Sequence, residues 1–238
     1  MSAFFDYPKA AKFGRILPKS KIYDHAHASS KLQQLFVDQV EKIIWQYKLA
    51  PETINLAATK SVSEIQVFEI RLRTAACDED ILRAIDKAIP FPIIFELSQN
   101  EKCKVVAAYK RPPNNQKGEA DATKWVVIEY FETKWQGADR PRTALPTALD
   151  LGALYEKLIS DLLPGDVGKD APVAVRVENL EAIRASESEI ARIKARMARE
   201  KQYNKRIAIN AELRAAIEKC HRLTTEVTER HGNERIDS

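Results

Sequence analysis

The chain has 238 residues, 45% hydrophobic and 30% charged, which is enough for one domain of ordinary size plus an appendage, or for two small domains. Its longest apolar runs fall far short of the roughly 18–20 residues a membrane span needs. Cys77, Cys103 and Cys220 are scattered without the spacing of a disulfide framework. Reduced thiols, no membrane and a cytoplasmic location are therefore expected, and no basic-then-apolar leader is visible at the start.

The net charge of +4 is unevenly spread. Residues 192–206 hold seven basic side chains (Arg192, Lys194, Arg196, Arg199, Lys201, Lys205, Arg206) against one acid, Glu200. The rest of the chain is about neutral to slightly acidic.

Residues 1–27 carry Pro8, Gly14 and Pro18 with little periodicity, which predicts an irregular arm. Phe4, Phe5, Tyr7, Phe13, Ile16, Leu17 and Ile22 predict that it packs on the domain. Ser29 or Ser30 suits an N-cap. Leu32, Leu35, Phe36, Val40, Ile43, Ile44 and Tyr47 then recur at helical spacing, which predicts one helix stopped by Pro51. Stretches 53–59 and 64–73 read as strands, the second alternating well. Asp78, Glu79 and Asp80 suit the positive end of a helix dipole, and Ile81, Leu82, Ile85 and Ile89 give that helix its apolar face. Pro90 and Pro92 end it and open a strand that runs to Leu97.

Two further strands are predicted at 104–111 and 125–134, with a polar loop at 112–123 between them. A loop at 136–147 leads to a helix over 150–163. Stretch 164–177 reads as a linker, and beyond Glu178 the pattern predicts one long helix, unbroken to about Arg230, with a tail to 238. The core domain, 28–163, is thus expected to be α+β: a mostly antiparallel or mixed five-stranded sheet with helices on one side, followed by a long C-terminal helix of coiled-coil type.

Absences bound the chemistry. No Gly-x-x-x-x-Gly-Lys-Ser/Thr loop is present, since Gly165-Asp-Val-Gly-Lys169 has the wrong spacing. No strand-borne Gly-x-Gly-x-x-Gly occurs, and seven dispersed glycines do not build a phosphate cradle. No nucleophile arrangement of Ser, Cys or His is found. A non-enzymatic protein without cofactor or metal is the reading these absences favour. His25 and His27 alone do not make a zinc site.

One constellation points to catalysis. Glu132 and Lys134, two apart on a strand, match the acid and lysine with which restriction-type nucleases hold a divalent metal and orient water. Glu96 is the matching acid on a neighbouring strand, with Asp86 behind it. Mg2+ would be required under this alternative only. The bland reading is a charged pair where a strand runs into solvent.

The last helix carries an apolar seam (Ile190, Ile193, Met197, then Ile209, Leu213, Ile217, Cys220, Leu223, Val227) that lapses across the basic block. One reading docks Ile209–Val227 on a protein partner while the basic residues face phosphates. The others are a homodimer through this helix, and a solvated helix folded back on the domain. Tyr203 is the only aromatic in the basic block, so stacking on a run of bases is not suggested.

Several segments resemble one family. Leu17-Pro-Lys-Ser-Lys-Ile-Tyr23, Trp45-x-Tyr-Lys-Leu-Ala-Pro-Glu-Thr-Ile-Asn55, Ile85-Asp-Lys-Ala-Ile-Pro-Phe-Pro-Ile-Ile-Phe-Glu-Leu97, Ala108-Tyr-Lys-Arg111, Tyr130-Phe-Glu-Thr133, Lys201-Gln-Tyr-Asn-Lys205 and Ile209-Asn-Ala-Glu-Leu213 are similar to the bacterial domain-of-unknown-function family 4391. The resemblance runs from about residue 17 to 215. It implies a gene neighbourhood with a helicase and a DNA methyltransferase, as in antiphage and restriction-like defence, and hence such a partner and DNA. It carries no catalytic residues. The family pattern has the Tyr-Phe-Glu-Thr segment but not the following lysine, which weighs against the nuclease constellation.

Overall fold

The computed structural model describes residues 3–111, 126–164 and 171–229, apart from the side chains of 111 and 226–229. The chain divides into two compact units, Met1–Leu163 and Pro164–Ser238. The first is α+β and is built on a seven-stranded mixed sheet. Its main path runs β2 (Lys12–Ile16), β3 (Val40–Leu49), β4 (Ile65–Leu72), β5 (Ile93–Gln99), β6 (Lys102–Arg111) and β7 (Val126–Glu132), and the short β8 (Gln136–Gly137) also pairs with β6. All neighbours are antiparallel except β4 and β5. That parallel pair needs a crossover, which α4 (Glu79–Ala88) supplies. A separate two-stranded parallel ribbon joins β1 (Phe5–Asp6) to β9 (Thr143–Ala144).

Local chemistry explains where the helices begin. Ser29 caps α2 (Ser30–Gln39) by accepting from the Leu32 amide at 3.3 Å, and Asp78 caps α4 by accepting from Asp80 at 3.0 Å. Asp150 caps α5 (Leu151–Ser160) through the Ala153 amide at 2.8 Å. Helices α1 (Lys19–Ala26), α2 and α4 cover one face of the sheet. There Phe36, Ile81 and Ile85 pack with Phe68, Ile70, Phe95 and Val106. Helix α5 meets the sheet at β6, where the Tyr155 hydroxyl donates to the Ala108 carbonyl at 2.7 Å.

The expected helix through Tyr47 ends at Gln39 and gives way to β3. The pairing of β3 with β4 explains the misleading period. Val40 faces Leu72 but Lys42 faces Arg71, and Trp45 faces Phe68 but Tyr47 faces Val67. Glu41 and Gln46 are therefore extra residues, and each bulge resets the alternation. Val40 and Ile43 reach the helix-covered face while Ile44 and Tyr47 lie on the other, and their spacing of three, one and three along the chain imitates a helical stripe.

Three further expectations are corrected. Stretch 53–59 is not a strand of the sheet. Pro51 starts a single helical turn, α3 (Pro51–Ile54), and Asn55 ends it at φ 54°. The sheet has seven strands instead of five because β2, β3 and β8 join it. The arm is not irregular: β2 pairs with β3 at the sheet edge, α1 follows, and β1 pairs with β9. The predicted loop at 112–123 lies outside the described residues.

The second unit holds α6 (Val173–Arg199) and α7 (Tyr203–Glu229), so the expected unbroken helix is a hairpin that turns at Glu200, Lys201 and Gln202. The helix also begins before Glu178, inside the expected linker. Ile193 packs with Ile209, Leu213 and Ala216, flanked by Ile190 and Met197. The seam is closed on itself along this stretch.

Phe68 is 1% exposed and stacks against Trp45 with ring centroids 5.9 Å apart. Phe68→Ala should lower the urea-unfolding free energy by about 3–5 kcal/mol, the usual range for an emptied aromatic core site. A loss below about 1 kcal/mol would mean that this face of the sheet is not the core described.

Candidate functional site

The sheet register separates the residues of the nuclease alternative. Glu96 pairs with Val105, and Glu132 pairs with Val106. Val105 and Val106 are consecutive on β6, so their partners project from opposite faces of the sheet. Each acid also has its own cation. Glu132 takes Lys104 at 2.6 Å and is more than half exposed, whereas Glu96 takes Arg142. Lys134 lies beyond the end of β7 and is exposed. Two carboxylates on opposite faces cannot share a metal and its water, so this constellation is corrected. Among the described residues no three His, Cys, Asp or Glu gather where they could hold a metal ion. His25 is in the last turn of α1 and His27 caps it in the left-handed region at φ 52°.

Glu96 belongs instead to a polar cluster with Glu69, its direct neighbour across the parallel pair. Like charges placed opposite each other repel, and each receives a guanidinium. Arg142 grips Glu96 with both terminal nitrogens at 2.7 Å and donates to the Phe5 carbonyl at 2.9 Å. That fork ties the β1–β9 ribbon to β5. Its hydrogen bonds to Glu96 push the Arg142 pKa further up. Burial pushes the Glu69 carboxyl up, but hydrogen bonds from Arg71, Gln46 and Ser98 outweigh it and hold the group below its usual value. Burial likewise drives the nearby Tyr7 phenol well above its ordinary pKa.

The helix-covered face hides a second network. Asp86 on α4 meets the Lys110 ammonium of β6 at 2.5 Å, and both side chains are essentially sealed from solvent. The Tyr130 hydroxyl of β7 donates to the other Asp86 oxygen, and Lys110 donates to the Phe91 carbonyl at 2.8 Å. Burial pushes the Asp86 carboxyl up while Lys110 and Tyr130 pull it back, and burial together with Asp86 pushes the Tyr130 phenol up. The sealed Asp86–Lys110 pair, with Tyr130 half-buried beside it, clamps α4 and the α4–β5 corner onto β6 and β7. Asp86 stands behind no acid pair. Lys110 and Tyr130 lie in segments that carry the family resemblance, but the sequence shows no tie between them and Asp86, although Asp86 amid Ile81, Leu82, Ile85 and Ile89 marks a buried acid in need of a cation.

The corner fixed in this way forms one wall of an apolar cleft of about 320 Å³, lined by Trp45, Phe68, Ile89 and Phe91 among others, with Lys21, His25 and Glu64 as polar members. Among the described residues no Ser, Thr, Cys or Tyr side chain lines it. Elsewhere, the Cys77 thiol is pushed up to about 12 by burial and is not a thiolate at neutral pH.

The basic block gathers at the turn of the hairpin. Arg192, Lys194, Arg196, Arg199, Lys201, Lys205 and Arg206 are all exposed, the first four on α6 and the last two on α7 with Lys201 in the turn between. Arg192, Arg196 and Arg199 share one face of α6, spaced four and three residues apart, and line a recess of about 350 Å³ beside Glu200. Arg196 is ion-paired with Glu212 of α7. Glu200 also accepts from the Gln202 amide at 2.8 Å, which shapes the turn. Of the proposed partner-binding seam, Ile209 and Leu213 are buried inside the hairpin, Ile217 is exposed, and Cys220 and Leu223 are half-buried. The Val227 side chain lies outside the described residues.

Two measurements test the buried groups. Asp86→Ala strands the Lys110 charge and should cost about 3–5 kcal/mol of stability, whereas the double change Asp86→Leu with Lys110→Met should recover most of that. Equal losses in both variants, read by urea unfolding, would mean that the pair is not a closed unit. For Glu69, a folded pKa below the unfolded one contributes stability above the unfolded value that is lost as pH falls through the folded one. The advantage of wild type over Glu69→Gln should therefore shrink on acidification below the normal carboxylate range; a pH-independent difference would contradict the assignment.

No curated protein and no solved structure matches the chain. A family model described as Domain of unknown function (DUF4391) matches residues 5–219. Those residues include both polar networks, the cleft and the basic hairpin turn, and the chain belongs to that family.

Proposed function

We propose that this protein is a non-enzymatic accessory subunit of a bacterial DNA defence system that contains a helicase or DNA methyltransferase, and that it holds nucleic acid with the turn of its C-terminal hairpin. The observation that carries the DNA contact is the collection of seven exposed basic side chains around one turn, with Glu200 the one acid in the same stretch and Glu212 of α7 paired to Arg196. Cations on two adjoining helices meet a phosphate backbone at several points, and each neutralised phosphate releases condensed counterions. The recess between Arg192, Arg196 and Arg199 offers planar donors of the kind that fit phosphate oxygens. The partner follows from the gene neighbourhood that the family resemblance implies. Two of the six residues of the expected partner seam, Ile209 and Leu213, are consumed within the hairpin, so among the described side chains the surface offered to a helicase or methyltransferase is reduced to Ile217, Cys220 and Leu223. The same consumption weakens the homodimer alternative.

The test is a charge reversal of Arg192, Arg199 and Arg206 together, with Arg196 spared because its reversal would face Glu212. Binding of a fluorescent oligonucleotide should fall at least tenfold at low salt, and the slope of log affinity against log salt should flatten by about two to three. Unchanged affinity and slope would remove the basic turn from DNA binding. Purification of the tagged protein from nuclease-treated host lysate should retain a helicase or methyltransferase; recovery of the protein alone would count against the accessory role.

A further inference from the structure

The hairpin turn carries two apolar side chains that its charge does not explain. Tyr203, in the first turn of α7, is 75% exposed, and Ile207, one turn later on the same face, is 54% exposed. Among the described residues Tyr203 is the one aromatic in the set of exposed large hydrophobic side chains. Arg206 shares their face at three residues from Tyr203, and Arg199, Lys201 and Lys205 are close in the chain. A tyrosine and an isoleucine held in water by a packed helical hairpin, with cations around them, suit a ligand with both a negatively charged backbone and a flat apolar face. Nucleic acid has both.

Size narrows the form of nucleic acid. Two packed helices measure about 20 Å across, from an interaxial distance of 8–10 Å and a helix diameter of 10–12 Å. The major groove is about 12 Å wide and admits one helix. The hairpin end is therefore too broad to enter a groove and read base edges. A single ring is also too little for a platform that stacks successive bases along a strand. One aromatic and one aliphatic side chain at the end of a charged support match a wedge, which packs on a base whose stacking partner is gone.

We infer that Tyr203 and Ile207 form an apolar wedge that packs on the last stacked base where a duplex opens into single strands, while the surrounding arginines and lysines hold the phosphates on either side. This rests on the DNA-binding reading above and narrows its substrate from DNA in general to a duplex–single-strand junction. It also gives the hairpin a place beside an enzyme that unwinds or opens DNA.

The test compares the full-length protein on three labelled oligonucleotides, a blunt duplex, a forked duplex and a single strand, with 2-aminopurine at the base next to the fork. Wild type should bind the fork roughly tenfold more tightly than the blunt duplex and change the 2-aminopurine emission. Tyr203→Ala and Ile207→Ser should each lose most of that preference, with an unchanged salt slope and unchanged affinity for the blunt duplex. Tyr203→Trp should keep it. Both positions are exposed, and an unaltered helical circular-dichroism signal confirms that the variants fold. Equal wild-type binding to fork and duplex, with Tyr203→Ala silent, would overturn the wedge and leave the DNA-binding reading standing. Binding to no oligonucleotide would overturn both. Binding to vesicles of phosphatidylcholine with 30% phosphatidylserine, but not to the oligonucleotides, would assign the tip to an anionic membrane surface instead and overturn the wedge.

Discussion

Asp86 and Lys110 face each other where water does not reach, and much of the first unit is arranged around that fact. Taking a carboxylate and an ammonium out of water costs several kcal/mol each, and only a closed set of partners offsets it. The set here draws one residue from α4, one from β6 and one from β7, and Lys110 adds the Phe91 carbonyl. The crossover that makes β4 and β5 parallel is thereby fixed at its far end. The helix cannot slide along the sheet without exposing an unpaired charge to an apolar interior. Positional definition of this kind is something an apolar contact between the same elements would not provide to the same degree.

Alternation along β6 is the second constraint, and it decides what the acids can do. The strand lies between β5 and β7, so each step of one residue along it assigns a neighbour's side chain to one face or the other. Glu96 is sent to the face where Arg142 and the β1–β9 ribbon close over it. Glu132 is sent to the other face, beside Lys104 and Trp135. Charges that look like a catalytic set along the chain are engaged separately, Glu96 in tying the β1–β9 ribbon to β5 and Glu132 in an ion pair between β7 and β6. The exposed basic stretch of residues 192–206 sits on the second unit.

The hairpin follows from the same logic of burial. Nothing in Glu200-Lys201-Gln202 forbids a helix, since all three are good helix formers and no glycine or proline intervenes. The turn forms because it lets Ile193 and its neighbours bury against Ile209, Leu213 and Ala216. One long exposed helix would leave that seam in water. Folding it back concentrates the charges of residues 192–206 at one end, which multiplies their effect on a polyanion beyond that of the same charges strung along a rod.

Residue chemistry alone determined the α+β class, the cap at Ser29, the helix starts near Asp78 and Asp150, the strand after Pro92 and the existence of the basic block, because each is decided by neighbours close in the chain. Four features needed the tertiary structure. The bulges at Glu41 and Gln46 exist only in register with β4, and without them β3 reads as helix. The separation of Glu96 from Glu132 depends on which residues of β6 they pair with. The ion pair of Asp86 with Lys110 spans a helix and a distant strand. The turn at Glu200 is imposed by packing against the local preference to continue. A pattern within one segment reports which faces want to be buried; which other segment buries them, and what that brings together, is settled only when the chain has closed its long-range contacts.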